Sequence, residues 1–360
     1  MCRSKDNSVD IFQLLSSKVQ GDRKRILTGM FLVVLMLAAM AVSACSSDDD
    51  SSAGSLTIYS GRSETLIDPI IQQFKNATGI DVKVKYAGTA ALAATIREEG
   101  GNTPADLFFA QDPGGLGAIE DLFTPLSGDL LNLVPEWARS SDGTWVGISG
   151  RARTLVYNNE TLSEADLPED ISGLTDPKWK GRLGWAPTNG SFQAMVTAMR
   201  ATWGEEPTRQ WLEGVQENDP KIYSNNTTQV AASASGEIDI GMVNHYYLHR
   251  FLAEEGDSFG ARNYHPSAGG PGALIMVSGA GILSTADNKE NAEKFLEFML
   301  SLVGQQYFAS QTFEYPLIDG VATPLGLTSL EDINHPNITP RDMADLEGTQ
   351  ALLRDIGIIP

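Results

Sequence analysis

The sequence predicts an α/β protein of two lobes with a ligand cleft between them. Three observations lead there. The chain has 360 residues, which is long for one core and suits two. Short β-rich runs alternate with helix-patterned runs, as βαβ units on mostly parallel sheets require. Finally, the pattern implies that the chain leaves the first lobe and later returns to it.

"SLTIYS" (55–60) reads as the first strand. "ETLIDPIIQQFKNATG" follows as a helix, with Leu66, Ile67, Ile70, Ile71 and Phe74 at helical spacing and Gly79 as its stop. "IDVKVKYA" (80–87) alternates at period two, "ALAATIREEG" reads as a helix and "ADLFFAQ" (105–111) as a buried strand. Next, "TWVGISGRARTLVYNN" reads as two strands joined through Ser149-Gly150-Arg151. "FQAMVTAMRATWG" and "PTRQWLEGVQE" are helices, "EIDIGMV" is a strand, and "YYLHRFLAEEG" is a helix with Asn244 as its N-cap. "GALIMVSGAGIL" (272–283) returns as a strand to the first sheet, and "NKENAEKFLEFMLSLVGQQYFA" reads as one amphipathic helix. The predicted first lobe is 55–151 plus 272–325, and the second is 152–271 plus 326–360. Crossings near Arg151 and Pro271 describe a hinged binder with its ligand in the cleft.

Composition excludes some functions. The formal charge of −20 leaves no basic stripe for phosphates, so nucleic acid is not expected as a partner. The first 44 residues read as a secretory signal: "GDRKR" is basic, "ILTGMFLVVLMLAAMAV" is apolar, and "VSAC" ends it. Ser43 and Ala44 before Cys45 resemble a bacterial lipobox, which implies lipid on Cys45 and a polar tether over 45–54. A transmembrane anchor competes, because the apolar run approaches spanning length. The position of Cys45 and the polar "SSDDDSSAGS" after it favour the lipoprotein. Six basic and three acidic residues leave with the signal, so the mature body carries −23. The stretch before Gly21 is long for an n-region and points to a translation start near Val19. The other cysteine, Cys2, lies in the leader, so the mature protein is expected to hold no disulfide.

Ligands of open α/β sheets sit off the carboxyl ends of strands. Those ends carry Ser60, Arg62, Ser63 and Glu64, then Gln111 and Asp112, then Asn244. Thr188-Asn189-Gly190-Ser191 opens a helix and reads either as an anion seat or as an ordinary cap. Arg151 and Arg153 add planar donors for the same anion. In "VNHYYLHRF" the adjacent Tyr246 and Tyr247 do not share a helix face, so packing accounts for at most one of them. Phenols titrate near 10, and as phenolates they suit a hard, highly charged Lewis acid such as ferric iron. His245 and His249 have the spacing of a zinc pair, but no acidic or thiol partner completes that motif, and one of them is expected to pack behind the tyrosines. No P-loop, GxGxxG or GxSxG occurs, so no enzyme class is indicated.

Taken together, "LTIYSGR", "FKNATGIDVKV", "TPADLFFAQD", "WVGISGRARTLVYN", "PKWKGRLGWAPTNGSFQ", "GEIDIGMVNHYYLHRF", "PGALIMVSGAGIL" and "EYPL" resemble the ferric-iron-binding proteins of bacterial ABC importers. These have the type II periplasmic-binding-protein fold. The resemblance implies Fe(III) on Tyr246 and Tyr247, and a synergistic anion such as carbonate at Arg151, Thr188, Asn189, Gly190 and Ser191. It places Asn226 and Asn244 among polar groups around the ligands. It also implies a membrane permease as partner, a monomer, and a site on the outer face of the membrane. The first lobe departs from the family pattern. Ser63 stands where some members have a ligating His, Glu64 where some have a Tyr, and Gln111 where others have a Glu. Glu64 and Asp112 are the remaining candidate metal ligands there. A metal-free site for a phosphonate, sulfate, thiamine or polyamine is the alternative, with Ser60, Arg62, Ser63, Arg151, Thr188 and Ser191 as its pocket.

Overall fold

The computed structural model describes residues 53–360. The expected signal, Cys45 and most of the tether lie outside the described residues. The described chain forms one compact unit, Ala53–Pro360. In chain order its main elements are β1 (Ser55–Ser60), α1 (Glu64–Thr78), β2 (Asp81–Tyr86), α2 (Thr89–Glu99), β3 (Leu107–Ala110), α3 (Pro113–Gly117), α4 (Gly128–Leu131) and β4 (Trp145–Asn158). Then come β5 (Leu183–Trp185), α5 (Gly190–Trp203), α6 (Glu205–Glu217), β6 (Lys221–Ile222), α7 (Asn226–Ala234), β7 (Ile240–Asn244) and α8 (Tyr246–Glu255). The chain ends with β8 (Ala261–Tyr264), β9 (Ile275–Ile282), α9 (Lys289–Met299), α10 (Leu302–Gln311) and α11 (Leu346–Asp355).

The helices form where the apolar spacing put them. In α1 the five periodic residues Leu66, Ile67, Ile70, Ile71 and Phe74 are the buried ones, and Gly79 ends the helix at φ 74°. That left-handed angle costs a glycine little and other residues more.

Nine strands share one sheet, eight of them in the order β2-β1-β3-β9-β4-β7-β5-β6, with β8 pairing off that path on β4. At one end β1 pairs parallel with β2 and β3, and at the other β5 pairs parallel with β6 and β7. Strand β4 connects the two ends: Trp145–Ala152 pair with β9, and Arg153–Tyr157 with β7. All fourteen β4 residues are buried. One core gathers Ile58, Phe74, Phe108 and Phe295. A second gathers Leu155, Trp179, Trp185 and Leu353.

Several expected boundaries differ. The run around Ser149-Gly150-Arg151 is one strand with a register shift between Gly147 and Ser149, not two strands. Its backbone hydrogen bonds to Tyr315 and the β9 ladder hold Gly150 extended. Asn244 ends β7 and is not the cap of α8, because its backbone stays in the ladder opposite Arg153. The returning strand begins at Ile275, after a 3-10 turn over Gly270–Ala273. The expected single helix after Asn288 is two. Ser301 Oγ accepts the Gly304 N–H at 3.2 Å and starts α10 afresh.

Candidate functional site

The tyrosine pair opens α8 at the carboxyl end of β7. Both residues are buried, Tyr246 completely and Tyr247 to 7% exposure. Their rings stack with centroids 4.1 Å apart. Core-and-surface spacing on a helix would have exposed one. At a first turn, with no preceding helical turn to crowd it, the second ring can fold inward against the first. The Tyr246 hydroxyl is enclosed and has no hydrogen-bond partner. Burial pushes the Tyr247 phenol well above its usual range, and Tyr246 beside it adds to the rise. The Tyr247 phenol therefore favours the neutral form until a strong cation arrives.

Three buried arginines surround them. Arg151 and Arg153 are neighbours on β4's inward face, and Arg62 follows β1. Arg62 pairs with Glu314, whose other oxygen accepts from Ser149. Burial opposes the Arg62 charge, but Glu314 and the two tyrosines more than offset it. Burial and then Arg151 pull Arg153 down to about 9, so it remains cationic at neutral pH. Each guanidinium keeps donors that find no acceptor: Nε and Nη1 of Arg62 and of Arg151, Nε and Nη2 of Arg153. Enclosed donors of this kind are costly unless an anion fills them.

Asn244 orders the floor. Its Oδ1 accepts from Arg153 Nη1 at 3.0 Å, and its Nδ2 donates to Ser191 Oγ at 3.0 Å. Gln111 Nε2 also donates to Ser191 Oγ at 3.0 Å, across from the other end of the sheet. Both acceptor sites of that hydroxyl are thus taken, and its proton is left to donate to a guest. Asn189 caps α5 by accepting the Ser191 N–H at 3.1 Å.

His245 fixes the turn before the pair. Its Nδ1 accepts the Ala152 N–H at 3.1 Å, so Nε2 carries the proton and donates to Phe313 O at 2.9 Å. Burial, then His249 and His265, hold it neutral. His245 does pack and hydrogen-bond behind the tyrosines, and both ring nitrogens are already engaged.

Two cavities meet this region. One of about 360 Å3 is lined by Tyr247, Arg62, Ser63, Glu64, Gln111 and Tyr86 among others. Another of about 370 Å3 is lined by Asp112, Thr188, Asn189 and Gly190. Among the described residues no group of three or more His, Cys, Asp or Glu is placed to hold a metal.

Residues 69–334 match the family of bacterial extracellular solute-binding proteins. The chain belongs to that family. This solute-binding protein is 34% identical to the major ferric iron-binding protein of Neisseria meningitidis over 315 residues, which span 84% of this chain and 93% of that one. It is 30% identical to the Fe(3+)-binding periplasmic protein of Serratia marcescens, across 91% and 97% of the two chains. The crystal structure of iron-bound HitA from Pseudomonas aeruginosa superposes with a TM-score of 0.80 at 35% identity, over 84% of this chain and 99% of that one. The fold is the two-lobed type II periplasmic-binding-protein fold.

In this solute-binding protein the expected site residues divide. Gln111, Ser191, Asn244 and Arg153 are joined by the hydrogen bonds above, and Tyr246 and Tyr247 by their stack. Arg62 and Gln111 line the Tyr247 cavity, while Arg151, two residues before Arg153 on β4, donates to Val277 O at 3.2 Å. Asn226 opens α7, nearly fully buried, with its Nδ2 unpaired. Ser63 and Glu64 are exposed on the rim of the Tyr247 cavity, and Ser60 Oγ accepts the Arg62 N–H at 3.0 Å. Asp112 is buried, but it lines the Gly190 cavity and not the Tyr247 one. Its Oδ1 accepts the Gly115 N–H at 3.1 Å, while Oδ2 has no partner. Burial raises the carboxyl, and Arg151 opposes the rise. Thr188 is exposed beside it. Glu314 and Tyr86 carried no expected role, although Glu314 sits in the quoted "EYPL".

Proposed function

We propose that this chain is the extracytoplasmic solute-binding component of an iron(III) ABC importer, and that it captures Fe(III) with an anion such as carbonate. The observation that carries the reading is the buried stack of Tyr246 and Tyr247 beneath three arginines. Two adjacent enclosed phenols, once deprotonated, offer two hard oxygen ligands to a trivalent cation. Binding exchanges their protons for iron, so affinity falls as pH falls. The guanidiniums of Arg62, Arg151 and Arg153 outnumber the buried carboxylates facing them, Glu314 and Asp112. That excess is what an accompanying anion would neutralise. Ser191 Oγ–H and the unpaired donors of Arg151 and Arg153 are its seat, with Asn189 and Gly190 at the positive end of α5 and Thr188 on the rim. The names and iron-bound state of the relatives support the same reading.

Residues 55–151 with 272–325, and 152–271 with 326–360, act as the two lobes, hinged where β4 passes from β9 to β7. Ligand bridging the lobes closes the cleft, and the closed form docks a permease. Lipid on Cys45 holds the monomer at the outer face of the membrane, and its role is binding and not catalysis. Cys45→Ser would release the protein into the medium or periplasm if the anchor is lipid.

The deciding experiment is a visible spectrum of the mature domain with Fe(III) and bicarbonate, repeated on Tyr246→Phe/Tyr247→Phe. A tyrosinate-to-iron charge-transfer band that vanishes in the double variant supports the site. A wild type with no band, leaving iron in its chelator, overturns it. The unpaired arginine donors favour a second reading, an oxyanion solute without metal. Anion binding that ignores both iron and the tyrosines would establish that one instead.

A further inference from the structure

We infer that Tyr86 is a third iron-ligating phenol, supplied from the first-lobe side of the cleft, an inference that rests on the iron reading above. Tyr86 is the last residue of β2 and pairs in parallel register with Ser60. That register puts it on the same strand-end rim as Ser60, Arg62 and Glu64. Its ring is half-buried, yet its hydroxyl is enclosed and has no hydrogen-bond partner. It lines the cavity of about 360 Å3 that Tyr247, Glu64 and Gln111 also line.

Packing does not account for the hydroxyl. Val82 and Val84 precede Tyr86 on the same face of β2, and an apolar side chain would continue that row. A desolvated hydroxyl with nothing to bond is a cost that a ligand removes. The alternative first-lobe donors are weak. Ser63 and Gln111 are neutral, and Gln111 is engaged with Ser191. Asp112 faces the other cavity.

The electrostatics of the two walls differ. Burial, then Asp68 and Glu64, push the Tyr86 phenol up to about 12, so without metal it is protonated. Those same carboxylates give this wall a negative potential. Arg62 on the same cavity is already paired with Glu314, and Arg250 is the remaining cation there. Arg151 and Arg153, with their open donors, lie toward β4. A cation bound between the walls would face Tyr86 and the acids while its anion faced the arginines. On binding, the phenol proton leaves to solvent and the oxygen takes its place on the metal, so iron with three phenolates adds no net charge.

The test uses the mature domain loaded with Fe(III) and bicarbonate, comparing wild type with Tyr86→Phe. The expected result is a charge-transfer band that loses about a third of its intensity per iron and shifts in energy, three phenolates becoming two, with iron affinity against a citrate competitor down roughly tenfold or more. Resonance Raman should lose one set of tyrosinate modes. Tyr86→His, which restores a ligating atom, should recover affinity but not the lost modes. A band unchanged in energy and intensity in Tyr86→Phe, with unchanged affinity, overturns the inference while leaving the tyrosine pair intact. A wild type without any band overturns the iron reading itself, so the two failures are told apart. Metal-free melting curves of the variants establish that each is folded.

Discussion

Arg62 and Glu314, 252 positions apart, form a salt bridge in which neither side chain has any exposed surface. The bridge ties the turn after β1 to the segment that crosses β4 at Gly150, where Tyr315 and Gly150 exchange backbone hydrogen bonds. Ser149 and Ser278, whose hydroxyls are 2.7 Å apart, complete the shell around Glu314. A buried pair is rarely a net gain over an apolar one, but breaking it leaves an uncompensated charge. Glu314→Ala should therefore destabilise the domain by about 3–5 kcal/mol in urea denaturation. Arg62→Met/Glu314→Leu should recover most of that loss. A single variant as stable as wild type would mean that water reaches Arg62.

Tyr246→Phe should separate stability from binding. The hydroxyl it removes is buried and unpaired, so the metal-free domain should be unchanged or gain about 1 kcal/mol. The same variant should lose most of its iron affinity and much of the charge-transfer band. If it melts well below wild type, the hydroxyl has a partner in solution and is not held ready for a ligand.

What the sequence made legible follows from how local each feature is. Periodicity located α1, α5 and α6, because the spacing of apolar residues needs no knowledge of the rest of the chain. The strand-end rule pointed to Arg62, Gln111 and Asn244, and the helix-opening tetrad to Ser191, for the same reason. Boundaries set by tertiary pairing were less visible. Asn244 looked like a helix cap until Arg153 held it in the ladder, and one continuous strand at Ser149–Arg151 looked like two. Glu314 and Tyr86 were invisible as site residues. Glu314 owes its role to contacts with Arg62 and Ser149, 252 and 165 positions away. Nothing in "KVKYA" reveals that the Tyr86 hydroxyl is enclosed and lacks a partner.

Acid should loosen the metal-free domain through its histidines. Burial lowers His265 to about 4 from 6.5 and also lowers His249 and His245. The unfolded chain therefore takes up protons before the folded one does. The stability these residues contribute is fully present above pH 6.5 and is lost as the pH falls toward 4. Asp112, raised by burial, acts with the opposite sign, but it is one group against three. Urea midpoints measured from pH 7.5 to 4 should fall across that window, and His265→Gln should flatten the slope. A wild-type midpoint constant down to pH 4.5 would count against buried neutral imidazoles.

Gly190 and Asp112 meet across the cleft, and this makes a probe of closure. Asp112 follows β3 at one end of the sheet, and Gly190 opens α5 at the other. A Cβ on Gly190 would lie 2.2 Å from Asp112 Oδ2 and 3.3 Å from its Cγ. The carboxylate has little freedom to retreat, since it is buried and its other oxygen caps α3 through the Gly115 N–H. Gly190→Ala should therefore penalise the closed form and leave the open form alone. Ligand affinity should drop by about tenfold, equivalent to about 1.4 kcal/mol, while the melting temperature of the ligand-free domain changes little. Adding Asp112→Ala removes the clashing oxygens and should restore part of the affinity. If Gly190→Ala instead lowers ligand-free stability and leaves affinity unchanged, the contact belongs to the resting fold and not to closure.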